Sequence, residues 1–242
     1  MSDVEIPADL ARALVVTAHP DDVDFGAAGT IASLVAGGVR VTYCVVTDGD
    51  AGGFDPTVPR ADIPGIRRAE QEAAAAILGV TDVRWLGYRD GELTVSHDLR
   101  RDITRVIRHV QPQRVLTTSP VRYWERIGAS HPDHMAAAEA TVQAIYPDAR
   151  NQFAHPTLAT DEGLGEWVVG ELWMFGSPTP NTYVDVTEQL PLKLAALRAH
   201  VSQTEHMTDL EETIRGWMSA AAVAGGLPEG RLAEMFHAVR TG

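Results

Sequence analysis

Residues 14–46 read LVVTAHPDDVDFGAAGTIASLVAGGVRVTYCVV, and their pattern decides the fold class. Residues 14–18 are an apolar run of strand length. Residues 26–36 carry small and apolar side chains in a helical pattern and close on Gly37-Gly38, a helix stop. A second apolar run, 39–46, follows at once. Strand, helix and strand in quick succession make a βαβ unit, and such units build parallel sheets with helices on both faces.

The same alternation continues outward. The pattern predicts helices over 67–78, ended by Gly79, over 99–109, and over 135–146, stopped by Pro147. It predicts strands over 83–86, 114–118, 167–175 and 182–186, then helices over 192–200, 209–223 and 231–239. The expected fold is α/β, a mostly parallel sheet flanked by helices on both faces, forming one domain over 1–242. Its part from about 187 onward is expected to be mainly helical and packed on the sheet. Segments 48–65 and 147–166, rich in Gly, Pro and Asp, read as long loops, which on such sheets serve as lids or binding loops.

Composition excludes several function classes. With 242 residues, 45% of them apolar, the chain buries about 70–75% of its unfolded surface and needs neither disulfide nor metal merely to fold. The single Cys44 lies in an apolar run and reads as a buried thiol, which suits a reducing, cytoplasmic setting. The first residues, MSDVEIPADLARALVVTAH, are acidic and lack the basic region of a secretory signal. No apolar run approaches the roughly 20 residues of a membrane span, so no membrane partner is expected. There are 33 acidic and 20 basic side chains, a formal net charge of −13, which argues against nucleic acid as a partner. Lys193 is the sole lysine.

The chemistry concentrates at two strand ends. The strand 14–18 runs straight into His19-Pro20-Asp21-Asp22, where ligand sites of open α/β sheets lie. The strand 114–118 leads to Ser130-His131-Pro132-Asp133-His134 at the start of a helix. Ser130 suits the N-cap, Pro132 the first turn, and Asp133 the capping-box position. Capping explains those three residues but neither histidine. His131 and His134 are three apart and share a helical face. Two His-Pro-Asp clusters meeting over one sheet supply a His, Asp, His donor set. That set suits zinc in an open catalytic site, and it also resembles the facial triad of iron oxygenases. The additional carboxylate, Asp21, favours hydrolysis, because an activated water needs a proton acceptor.

These motifs resemble a known family. AHPDDVDFGAAGTIASL (18–34) and SHPDHMAA (130–137) are similar to the two signatures of the N-acetylglucosaminyl-phosphatidylinositol de-N-acetylases, the PIG-L or LmbE-like deacetylases. RRAEQEAAAAILGV (67–80), WLGYRDGEL (85–93) and LRAHVSQ (197–203) resemble connecting family segments. The resemblance implies a Rossmann-like sheet and one catalytic zinc held by His19, Asp22 and His134, a site at which Fe2+ or another divalent ion is also tolerated. It implies that Asp21 is the general base. His131, oriented by Asp133, would steady the oxyanion or protonate the leaving amine. Arg67 and Asp90 would contact substrate hydroxyls, with His200 lining the site. The partner implied is a small amide, N-acetylglucosamine-like, a thiol conjugate or a natural-product intermediate; a homo-oligomer is left open. Two positions depart from the family pattern: Val23 stands where Glu is frequent, with Asp24 next to it, and Ala129 where members acting on mycothiol or its precursor carry Tyr.

Two rivals lie outside that class. An iron oxygenase usually sits on a β-barrel rather than an α/β sheet. A non-catalytic binding domain on a Rossmann-like sheet would carry G-x-G-x-x-G after its first strand, where His19-Pro20-Asp21-Asp22 stands instead.

Overall fold

A computed structural model describes residues 7 and 9–242. Its centre is a seven-stranded sheet: β1 (Arg12–Thr17), β2 (Arg40–Thr47), β3 (Asp82–Tyr88), β4 (Arg114–Thr118), β5 (Glu171–Phe175), β6 (Thr182–Asp185) and β7 (Ala233–Arg240). The spatial order is β3-β2-β1-β4-β5-β7-β6. The first five strands pair in parallel, while β7 runs antiparallel to both β5 and β6. The helices are α1 (Asp22–Ala36), α2 (Ile63–Ile77), α3 (His97–Val110), α4 (Pro132–Gln143), α5 (Pro156–Thr160), α6 (Leu190–Ala199), α7 (Val201–Thr204) and α8 (Leu210–Ala224).

The strand period of two sorts the core into layers. On β1, Ala13 and Val15 face one side, where Ala28 and Ile31 of α1, Ala74 of α2 and Leu197 of α6 pack. Leu14 and Val16 face the other side, against Ile103 and Ile107 of α3 and Ala140 of α4. Both faces of the parallel sheet are thus covered, as its apolar strands require. No helix among the described residues is long and apolar enough to cross a membrane.

Several elements differ from expectation, among them α2, which starts at Ile63, and α5, which lies within the expected loop 147–166. Segment 231–239, expected as a helix, falls in β7 from Ala233 onward, where its backbone is claimed by β5 on one edge and β6 on the other. A short apolar run satisfies either period, and pairing decides. Helix α1 starts at Asp22 rather than near Gly26, so the His-Pro-Asp-Asp motif forms the turn into it. The strand expected over 167–175 is paired only at Glu171–Phe175.

Strand order reverses between β1 and β4, because the chain winds outward through β2 and β3 and then returns to the other flank of β1. The crevice above such a switch point is where open α/β sheets bind ligands.

Candidate active site

The turn after β1 is fixed by a neighbouring helix. Asp21 adopts φ 89°, in the left-handed region that side-chain-bearing residues seldom occupy. Its N–H donates to Gln71 Oε1 at 2.8 Å. Arg67, one turn earlier on α2, donates from Nη2 to Pro20 O at 2.6 Å and to Asp21 Oδ2 at 3.0 Å. Surroundings that over-determine a strained residue in this way are common at functional sites.

The second motif begins α4. His131 takes the N-cap, its Nδ1 accepting from the Asp133 N–H at 3.2 Å, and Pro132 follows in the first turn. Ser130, expected as the cap, instead accepts the Tyr123 N–H on its hydroxyl at 2.7 Å. Thr118, at the end of β4, donates to His134 O at 3.0 Å and ties the helix start to the strand.

The two motifs converge. His134 Nε2 lies 3.1 Å from His19 Nδ1 and 2.9 Å from Asp22 Oδ1. His19 Nδ1 is 3.8 Å from Asp22 Oδ2, which also accepts the His19 N–H at 2.8 Å. Neighbouring donors on a tetrahedral zinc ion are about 3.4 Å apart, given bonds of about 2.0–2.2 Å. His131 stands beside this group, its ring 5.0 Å from that of His19 and 5.3 Å from that of His134. Ring nitrogens of the three histidines lie within 4.8 Å of one another, so His19, His131 and His134 form a second candidate triple. His131 is exposed and its Nδ1 already accepts a backbone hydrogen bond, whereas Asp22 is buried and brings a negative charge.

The electrostatics follow from burial and pairing. Burial lowers the affinity of His19 for a proton, but hydrogen bonds to Asp133 and Asp90 outweigh it and raise its pKa to about 10. Burial works against the charge on Asp22, yet His134 and His19 hold it well below the usual carboxylate range. The same pairing with Asp22 outweighs burial at His134 and raises its pKa. Surroundings that hold positive charge so strongly also favour a cation. Asp21 differs: burial, opposed by Arg67 and reinforced by Asp22, lifts its carboxyl to about 6. Partial desolvation and the positive charge of its two histidine neighbours lower the pKa of His131.

Several predicted residues stand elsewhere than expected. Asp133 does not orient His131 through its carboxylate. That group is fully buried, lies 3.2 Å from His19 Nε2, and accepts the Gly91 and Leu93 N–H groups. Asp90 lines the cavity, but its Oδ1 lies 2.9 Å from the same nitrogen and its Oδ2 accepts the Ala51 N–H at 3.3 Å. Arg67 is 4% exposed and engages Pro20, Asp21 and Gly49, although it borders the cavity. His200 does not line the cavity: it lies behind it, fully buried, with Nε2 2.8 Å from Asp24 Oδ2. Asp24 Oδ2 also accepts from Gln71 Nε2 at 2.9 Å, so Asp24 belongs to a buried chain linking His200 through Gln71 to the Asp21 backbone. Val23 packs into the core, and Ala129 borders the cavity. Sequence reasoning missed Gln71, whose signal was its spacing: four residues after Arg67, on the same helical face.

The PIG-L family model, described as GlcNAc-PI de-N-acetylase, matches residues 14–145, which include both motifs. The chain belongs to the PIG-L family. It is 32% identical to a diacetylchitobiose deacetylase of Thermococcus kodakarensis, over 81% of this chain and 71% of that protein. It is 36% identical to a probable N-acetyl-alpha-D-glucosaminyl L-malate deacetylase 2 of Bacillus cereus, over 83% of this chain and 86% of that protein. A solved structure of N,N'-diacetylchitobiose deacetylase from Pyrococcus horikoshii superposes with a TM-score of 0.87 at 32% identity, covering 96% of this chain and 84% of that one. In this PIG-L member the His-Asp group lines a cavity of about 720 Å³, within the usual range of small-molecule sites.

Proposed function

We propose that the protein is a zinc-dependent N-deacetylase that hydrolyses the amide of an N-acetylglucosamine-like small molecule. One observation carries the reading: His19 Nδ1, His134 Nε2 and the Asp22 carboxylate meet within 2.9–3.8 Å, with the Asp21 carboxylate beside them but tied to Arg67. The named activities of the relatives support it.

His19, Asp22 and His134 would hold the ion, a nitrogen and oxygen donor set of the kind zinc takes in open catalytic sites. Bound zinc supplies Lewis acidity, which acidifies a water near neutral pH and polarises an amide carbonyl. Asp21 takes the proton of the attacking water. Arg67 keeps that carboxylate oriented, and an oriented carboxylate within reach of the attacking water is a suitable general base. Water oxygen adds to the carbonyl carbon, the C–N bond breaks, and acetate and a free amine leave. His131, on the open side of the cluster, steadies the oxyanion and passes a proton to the departing nitrogen.

The experiment is release of acetate and free amine from N-acetylglucosamine, diacetylchitobiose and N-acetylglucosaminyl malate by zinc-loaded protein, beside a His131→Ala variant. Turnover of at least one substrate, with kcat lost in the variant while zinc is kept, is expected. No release from any of them at full zinc occupancy would overturn the reading.

A further inference from the structure

The cavity is not polar throughout. Beside the His-Asp group its walls include Phe25, Met207, Ile214, Trp217, Met218 and Met235, contributed by α1, α8, β7 and the segment before α8. The Phe175 ring forms part of the same wall, and it reaches there because residue 26 is glycine: a Cβ at Gly26 would stand 2.4 Å from the ring.

Two of the charged groups bordering this cavity, Lys193 and Glu234, are occupied. Lys193 Nζ donates to Asp24 O at 2.9 Å, Phe25 O at 2.7 Å and Glu234 Oε1 at 2.8 Å, which uses all three of its protons. Glu234 accepts in addition from the Gly29 and Thr30 N–H groups and the Thr30 hydroxyl. The Arg126 guanidinium lies 4.6 Å over the Trp217 ring at the rim. Sugar hydroxyls placed against the thioether and aliphatic walls would lose water without gaining partners, which is costly. Alkyl or aryl groups would lose nothing there and gain burial.

Building on the deacetylase reading, we infer that the substrate carries an apolar arm, alkyl or aryl, that runs from the reacting amide along the Trp217–Met235 wall. The arm is either the acyl chain or the group borne by the sugar. It selects amphiphilic N-acyl sugars over free N-acetylglucosamine.

Two measurements test this and separate its failure from that of the deacetylase reading. Calorimetric titration of zinc-loaded protein with methyl and octyl β-D-glucoside, below the micelle concentration, reads the wall without hydrolysis. Octyl glucoside should bind at least about tenfold tighter, since each buried methylene is worth about fourfold. Trp217→Ala and Met235→Gln, checked for folding by their melting curves, should each erase most of that preference. In the second measurement, kcat/KM is compared for N-acetyl and N-octanoyl glucosamine, and for methyl and octyl glycosides of N-acetylglucosamine. A gain of about tenfold or more in the first pair places the arm on the acyl side; a gain in the second places it on the glycoside side. Equal affinity for both glucosides, or a preference that survives both substitutions, overturns the inference. A wall-dependent octyl preference without hydrolysis of any substrate upholds the apolar site and overturns the deacetylase reading.

Discussion

His19 Nε2 lies 2.9 Å from Asp90 Oδ1, and this contact turns the opposite ring nitrogen, Nδ1, toward Asp22 and His134. Asp133 reinforces it from 3.2 Å on the same side. The fully buried Asp133 carboxylate is itself fixed by two backbone N–H groups, so the imidazole has a rigid mount. Carboxylates behind a ligating histidine fix its tautomer and raise its basicity. Asp133→Asn should therefore weaken zinc binding about 10–100-fold although Asp133 is not proposed as a ligand. Competition with a chelator of known affinity reads this directly. Unchanged affinity would show that His19 needs no such support.

The neighbouring carboxylates should separate in function. Asp21→Asn should retain stoichiometric zinc and lose about 10²–10⁴-fold in kcat, the usual worth of a general base. Asp22→Asn should lose zinc first. Elemental analysis paired with rate measurement decides, and the reverse pattern would exchange the two roles.

The buried ion pair offers a stability test. The side chains of Lys193 and Glu234 are 2% and 3% exposed. Lys193→Met would leave Glu234 charged and without its cation, a loss of about 3–5 kcal/mol. Urea unfolding measures it. A loss below about 1 kcal/mol would mean that the backbone N–H groups of Gly29 and Thr30 alone stabilise the carboxylate.

Cys44 should be inert. Its side chain is fully buried, and burial, partly offset by Arg84, pushes the thiol up to about 12. A free thiol titrates near about 8.5. At pH 8 the native thiolate fraction is thus lower by roughly three decades. Alkylation should be undetectable in native protein and complete in denaturant. The linkage has a definite sign: above about pH 8.5 the unfolded chain has released this proton and the native one has not, so Cys44 lowers stability as pH rises from there to about 12. Rapid native labelling at pH 8 would contradict this placement.

Much of this was legible in the sequence because period and punctuation agreed. Residues 14–46 carried an alternation that tertiary structure had no reason to override, and the two His-Pro-Asp motifs sat at strand ends where topology must bring them together. The failures are of another kind. Residues 231–239 are apolar at spacings that satisfy a helix or a strand, and only the free edges of β5 and β6 choose. The mount of His19 was not legible, because it depends on the loop after β3 folding back across the sheet to meet α4. A residue's type states what its side chain can bond, and Asp90 suits a sugar hydroxyl as well as an imidazole. Which one it meets is set by distances that no spacing encodes. The same holds for His200, whose partner Asp24 lies 176 residues away.

The burial of Lys193 has a consequence for the outside of the molecule. It is the chain's sole lysine, and it is 2% exposed with each of its protons engaged. The surface therefore presents no side-chain primary amine, and its permanent cations are guanidinium groups. Acetylation, ubiquitin attachment and amine-directed cross-linking find no lysine to react with while the fold holds. Reaction at Lys193 would in turn be a direct report that α1 and α6 have come apart.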